Sequence, residues 1–397
     1  MIAIYLFLLI TLLFERVSVL TMAAWFSILW GTPMIVEGYP SFAGIVYAGY
    51  AFLCVVINKL FPEKQEINHV PHDFFRLIFY LFISLSFVVV ALDSGFDGFL
   101  QGKYSGVVPS GNLQIYYLWN SLLLIVCVLA FNTQRVGLVK ASIFVLSLSL
   151  LLISGDRTIL GLVLVSYIFY ALRGKKPIDY LKNIRKVIII LIFGFILYVG
   201  KDFYSYYSLG YDFKMIISEI NPSEIFYRLE FWHNYNMINN IYSANFQYDV
   251  LDYISEFLSI IPLVQFGVDP HNFSLLIKER FYSEWSVGAG VGGNYFGQGF
   301  ATGGVFGLVF SAFFLVGLQL IVARLIEARS QIFFLLGIVA LPVVVFYVHR
   351  NSLAQFMSFV GRYGMVTLAI YTLYKVLIFS SGKGVSCVKR NTLSYYR

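Results

Sequence analysis

Hydrophobic residues in this chain fall in long blocks separated by short polar stretches. A helix needs about 20 apolar residues to cross the hydrocarbon core of a bilayer. Eleven blocks come near that length: 2–14, 17–36, 41–60, 74–92, 115–132, 138–153, 157–172, 187–203, 296–323, 331–348 and 353–378. The first, sixth and seventh are short, so ten to twelve crossings are expected, with eleven the central count. The predicted fold is an all-α polytopic membrane protein. No internal repeat is visible, so the pattern gives no support to a transporter built from inverted repeats.

One region breaks the rhythm. Residues 204–295 are polar and hold eleven of the 29 tyrosines. They divide the chain into a bundle of about eight helices at 1–203, a large loop at 204–295, and about three helices with a basic tail at 296–397. The aromatic and aliphatic content of the loop is too high for disorder. Asn221-Pro222-Ser223-Glu224 combines an N-cap, a proline at the first helical position and a glutamate that completes a capping box. It predicts a helix running to about Tyr242, with Ile225, Leu229 and Trp232 along one side. A second, amphipathic helix is expected at 250–261, ended by Pro262. Both would lie on the outer membrane surface and cover the bundle. A smaller Gly-rich loop at 93–114 breaks any helix there.

Composition strengthens the membrane assignment. The chain is 59% hydrophobic and 12% charged, against about 45–50% and about 25% in soluble domains. Charge distribution then orients it. Residues 173–186 hold six Lys/Arg and one Asp, and 375–397 hold five basic residues and no acid. The large loop holds ten acidic and four basic residues. Short basic loops stay in the cytoplasm, while long loops are translocated regardless of charge. The large loop is therefore expected outside, and the net charge of +7 reports topology, not nucleic-acid binding. The segment MIAIYLFLLITLLFER lacks a basic n-region and a small-residue cleavage site, and is read as a retained helix. Cys54, Cys127 and Cys387 have no metal-ligand spacing and suggest no disulfide framework. His69 and His72 lie beside Asp73 in a cytoplasmic loop and are read as solvated. No metal or cofactor is expected.

Candidate chemistry gathers on the outward side. Arg157 follows Ser154-Gly155-Asp156 at a helix end, Arg350 lies in the last exterior turn, and Arg362 lies about ten residues into the final helix. Arg228 and Arg280 are on the large loop. An arginine below the interface costs roughly 2.5–3.5 kcal/mol and usually faces a cavity or partner. Guanidinium groups match phosphate oxygens in bidentate geometry, so the set points to a pyrophosphate or another anion. Snorkelling, or pairing with Asp156 and the loop carboxylates, is the simpler alternative. His271, in Asp269-Pro270-His271-Asn272-Phe273, is placed to take a proton from a hydroxyl; capping the next helix is its simpler role. The glycines from Gly288 to Gly307 recur at spacings that let helices approach closely. They do not form a dinucleotide fingerprint. Tyrosine rings suit an interface belt or sugar stacking.

On these residues the chain resembles bacterial O-antigen polymerases, the oligosaccharide repeat unit polymerases, and their ligase relatives. The resemblance rests on about eleven helices with a dominant loop in the second half, on Ser154-Gly155-Asp156-Arg157-Thr158, on Pro270-His271-Asn272, and on Asn294-Tyr295-Phe296-Gly297 running to Gly303-Gly304. It implies a glycosyltransferase of the bacterial inner membrane that joins repeat units carried on undecaprenyl pyrophosphate into O-antigen or capsular polysaccharide. His271, Arg157 and Arg362 would be catalytic. Arg228, Arg280 and Arg350 would hold pyrophosphate, and Trp232, Tyr235, Asn272, Asn294 and Tyr295 would meet sugar. The resemblance also implies a chain-length regulator as partner. It departs from family members with two large periplasmic loops, because 93–114 is short and Lys103 is its only basic residue. A ligase or a lipid-linked oligosaccharide flippase are the competing assignments.

Overall fold

The computed structural model describes residues 2–38, 40–64, 69–92, 113–132, 157–181, 230–261, 272–283 and 293–380. Among these residues the chain is helical, and the one strand-like feature is an isolated parallel bridge between Val17 and Arg173. The helices are α1 (Ile2–Phe14), α2 (Val19–Gly31), α3 (Pro33–Glu37), α4 (Phe42–Leu60), α5 (His72–Leu92), α6 (Leu113–Asn132), α7 (Arg157–Leu172) and α8 (Pro177–Leu181). They continue as α9 (Glu230–Ser243), α10 (Val250–Ser255) with a 3-10 extension Glu256–Ile260, α11 (Asn272–Phe281), α12 (Tyr295–Glu327), α13 (Gln331–Val345) with a 3-10 turn Tyr347–His349, and α14 (Leu353–Ser380).

Five stretches are long and apolar enough to cross a membrane: Val19–Glu37, Phe42–Leu60, Tyr295–Glu327, Gln331–His349 and Leu353–Ser380. Outward-facing apolar side chains fit that setting, with Phe306 89% and Phe379 85% exposed. Such surface has no place in water but is ordinary against lipid. The protein is thus a helical membrane protein.

Local sequence explains the breaks. Ser18 and Thr21 form a reciprocal capping box that starts α2. The expected helix 17–36 is interrupted at Thr32-Pro33, because Pro33 has no N–H and opens α3 instead. The close pairing of α2 and α4 uses small residues. Ala23, Ala24, Ala43 and Ala51 are all fully buried, which lets the backbones approach. The Tyr5 hydroxyl donates to the Gly44 carbonyl at 3.0 Å.

The expected single helix at 296–323 is corrected. Gly303 (φ −141°, ψ 22°) and Gly304 (φ 56°, ψ −138°) break α12. The Tyr295 hydroxyl donates to the Ser311 carbonyl at 3.1 Å, although a continuous helix would hold those residues about 24 Å apart. Segment 295–302 therefore folds back along the start of segment 305–327. A Cβ at Gly307 would lie 2.1 Å from the Gly299 carbonyl oxygen, so the close-approach role of the glycines holds within one hairpin. Gly304 supplies the positive φ that turns the chain.

Contacts sort the turns into two ends. At one, which we call the cationic end, the 15–18 and 173–175 turns exchange backbone bonds (Val17 N to Lys175 O 2.9 Å, Gly174 N to Val17 O 2.9 Å). Lys59 meets Glu15 there, and Arg173 donates to the Lys64 carbonyl. At the other, the loop-bearing end, α9, α10 and α11 pack on the tops of α4, α12 and α14. Tyr235 donates to Glu37, Asn239 accepts from Ala43 N, and Tyr248 N donates to Ala301 O.

Candidate functional site

Three helix ends meet at the loop-bearing end: the start of α12, the end of α13 and the start of α14. Each leaves backbone groups without intrahelical partners. Asn294 serves two of them. Its Oδ1 accepts from Gly297 N at 3.0 Å, and its Nδ2 donates to the His349 carbonyl at 3.1 Å and to the Tyr47 hydroxyl at 2.8 Å. Gln298 accepts from Leu353 N at 2.8 Å and donates to Glu256 at 2.7 Å. Glu256 also accepts from Ala354 N at 3.0 Å and from the Tyr248 hydroxyl at 2.7 Å.

Glu256, 1% exposed, thus caps the start of α14 from a segment 98 residues away. All three of its partners are donors, as an ionised carboxylate requires. A negative charge at a helix N-terminus is also favoured by the helix dipole. Burial nevertheless pushes its carboxyl above the usual carboxylate range, against the lowering by Tyr248, Gln298 and the Ala354 N–H.

His349 lies in the same joint, fully buried among Trp30, Tyr47, Tyr50 and Phe296, with ring centroids 5.8–6.4 Å away. Neither ring nitrogen has a hydrogen-bond partner among the described residues.

The 346–353 joint holds the expected site residue Arg350, and the helices that carry Arg157 and Arg362 pack beside it. Arg350 is part of it and is half-buried. Arg362 lies over the Phe359 ring at 5.2 Å, and the Phe359 ring lies tilted against Tyr347, with centroids 4.4 Å apart. Arg157 opens α7. Gly161, one turn later, sits where an added Cβ would be 2.9 Å from the Phe346 ring. Arg350 thus lies in the joint, Arg362 beside a ring that touches it, and Arg157 one turn from a glycine packed on it.

The remaining expected residues surround it. Asn294 and Tyr295 are closed to solvent, and their polar atoms are used within the protein. Trp232 and Tyr235 are buried on α9, with Tyr235 bonded to Glu37 at 2.9 Å and to Ser41 at 2.5 Å. Helix α9 reaches the site through Ile238 and Ile241, which pack where a Gly297 side chain would be. Helix α11 reaches it through Ser274, whose hydroxyl accepts from Gly293 N at 3.0 Å. Asn272 opens that helix and Arg280, exposed, closes it. His271 and Arg228 lie outside the described residues, as does the predicted start of the helix at 221.

Of the expected surface helices, 250–261 forms as α10 and its 3-10 extension. It does not simply rest on the bundle. Tyr253, Glu256 and Phe257 point inward, and the Ile260 carbonyl comes within 1.6 Å of where a Cβ on Gly361 would be. Glu256, Gln298 and His349 were not singled out from sequence. A lone Gln inside a Gly-rich apolar block, and an acid on an amphipathic segment just before a proline, were the available signals.

Among the described residues no group of His, Cys, Asp and Glu could hold a metal ion. No protein-family model, curated protein or solved structure matches this chain.

Proposed function

We propose that this protein is a polysaccharide polymerase that transfers a growing glycan from undecaprenyl pyrophosphate to a new lipid-linked repeat unit. What supports the reading is that Arg350 lies in the 346–353 joint, that Arg362 lies over Phe359, itself beside Tyr347 of the joint, and that the helix opened by Arg157 packs against Phe346 through Gly161. In the proposed arrangement eleven helices cross the bacterial inner membrane, and the large loop faces the periplasm. The resemblance stated for the sequence motifs supports the same assignment.

The chemistry follows from charge. An acceptor sugar hydroxyl attacks the anomeric carbon of the donor. The new glycosidic C–O bond forms as the bond to the pyrophosphate oxygen breaks, and that oxygen keeps the electron pair. Fixed cations at the departing pyrophosphate stabilise the charge as it develops. Arg157, Arg350 and Arg362 fill this role, with Arg228 and Arg280 available from the loop. His271 takes the hydroxyl proton. Holding two lipid-anchored sugars side by side supplies much of the remaining rate. Asn294, Gln298 and Glu256 act as positioning residues, since they fix the three helix ends that border the arginines. A chain-length regulator is the expected protein partner.

Electrophoresis of surface polysaccharide from cells lacking the chain, with and without a plasmid copy, tests the proposal. A ladder reduced to a single capped repeat and restored by the plasmid is the expected result. Full-length polymer accumulating on the carrier lipid would indicate a ligase instead. Loss of all repeat units at the outer face would indicate a flippase.

A further inference from the structure

The cationic end holds a cavity of about 410 Å³ between the 14–18, 58–64 and 173–176 segments. That volume lies within the range that binds small molecules. Arg16, Lys59, Lys64, Arg173 and Lys176 line it, against two acids, Glu15 and Glu63. Glu15 pairs with Lys59, also a lining residue, at 3.4 Å, and Glu63 accepts from Val19 N at 2.6 Å while lying within the field of Arg173, so the lining keeps an excess of cations. Glu327, at the same end, is held by Arg324 at 2.8 Å and by the Lys64 N–H. Arg16, Lys64, Arg173 and Lys176 form no ion pair among the described residues.

The cavity is built, not a chance gap between mobile side chains. Its floor is the backbone ladder joining Val17 to Gly174 and Lys175. One wall is fixed by the Ser18 hydroxyl donating to Asn58 at 2.7 Å. Phe14 also lines it. Phe7, Ile10 and Phe14 are 63%, 55% and 54% exposed and share one face of α1. They form an apolar ridge that ends at the cationic wall.

We propose that this cavity binds a phosphate-bearing anion, whose natural source is the head group of an anionic membrane lipid lying along the α1 ridge. Arginine presents a planar fork to phosphate oxygens and lysine a point charge. A basic pocket among membrane helices, beside lipid-facing apolar surface, has the geometry for such head groups. The proposal is independent of the polymerase reading and concerns the opposite end of the molecule.

Native mass spectrometry of the full chain in a nonionic detergent tests it, with dioleoyl phosphatidylglycerol, dioleoyl phosphatidylcholine and inorganic phosphate as separate probes. The expected result is retention of phosphatidylglycerol in preference to phosphatidylcholine. The double variant Lys64→Gln/Lys176→Gln should weaken it about tenfold, the scale of one or two charge-assisted hydrogen bonds. Arg173→Gln should weaken it similarly, and gives a second reading should the double variant misfold. Arg329→Gln, an exposed charge at the same end but outside the cavity, should leave binding unchanged. Equal retention of the two lipids, or an equal loss in Arg329→Gln, would overturn the proposal. Competition by inorganic phosphate as effective as by the lipid would overturn its lipid part.

Discussion

The two ends of the bundle treat charge in opposite ways. At the loop-bearing end the acid is buried and every oxygen has a donor: Glu256 is held by Tyr248, Gln298 and the start of α14. At the cationic end most charges are exposed, and four cations face an open cavity without an ion pair among the described residues. Low dielectric makes the first arrangement rigid and costly to disturb, whereas water makes the second cheap to disturb and free to accept a ligand. A satisfied network is suited to holding catalytic groups in fixed geometry. An unsatisfied cationic cavity is suited to recruiting an anion.

That contrast breaks most readily at Glu256. Glu256→Ala would leave Gln298 and the Ala354 N–H buried without their acceptor, and should cost about 2–6 kcal/mol, at about 1–3 kcal/mol for each stranded donor. Thermal unfolding in detergent measures it, and a cost below about 1 kcal/mol would show the network to be dispensable. Gly361→Ala should follow, at about 1–3 kcal/mol, because its Cβ would meet the Ile260 backbone and not a side chain that could rotate away.

The pH response sharpens the comparison further. Burial pushes Glu63 up to about 7, with Glu327 adding to the rise, while the Val19 N–H, Arg173 and Arg324 pull it down. A carboxyl raised in the folded state binds more protons there than in the unfolded chain. Its stabilisation is therefore full below the ordinary value near 4.5 and is lost as pH rises towards 7. Glu63→Gln should flatten the stability profile across that window. A variant that keeps the full slope would assign it to another group. The smallest effect belongs to Lys59→Gln, which removes a largely exposed pair with Glu15 and should change stability by about 0–1 kcal/mol.

Helix positions were largely legible because the apolar blocks are long and the breaks are polar. The blocks at 41–60 and 353–378 correspond to Phe42–Leu60 and Leu353–Ser380. The fold-back at Gly303-Gly304 was not legible, since the apolar block runs through it unbroken and only the paired glycines mark it. Nor was the Glu256 network, whose partners Gln298 and Ala354 lie 42 and 98 residues away. Spacing rules reach one helix or one turn, and these contacts depend on how helices dock. The arginines were legible because a charge in an apolar setting is costly wherever it sits. That Arg350 lies in the 346–353 joint and Arg362 over a ring beside it required the fold.

The most direct test of the account is polysaccharide ladder length in cells whose only copy carries Arg157→Ala, Arg350→Ala or Arg362→Ala, with membrane levels of each variant measured alongside. Collapse of the ladder to a single repeat at undiminished protein level is the predicted result. Full-length ladders from all three stable variants would contradict it.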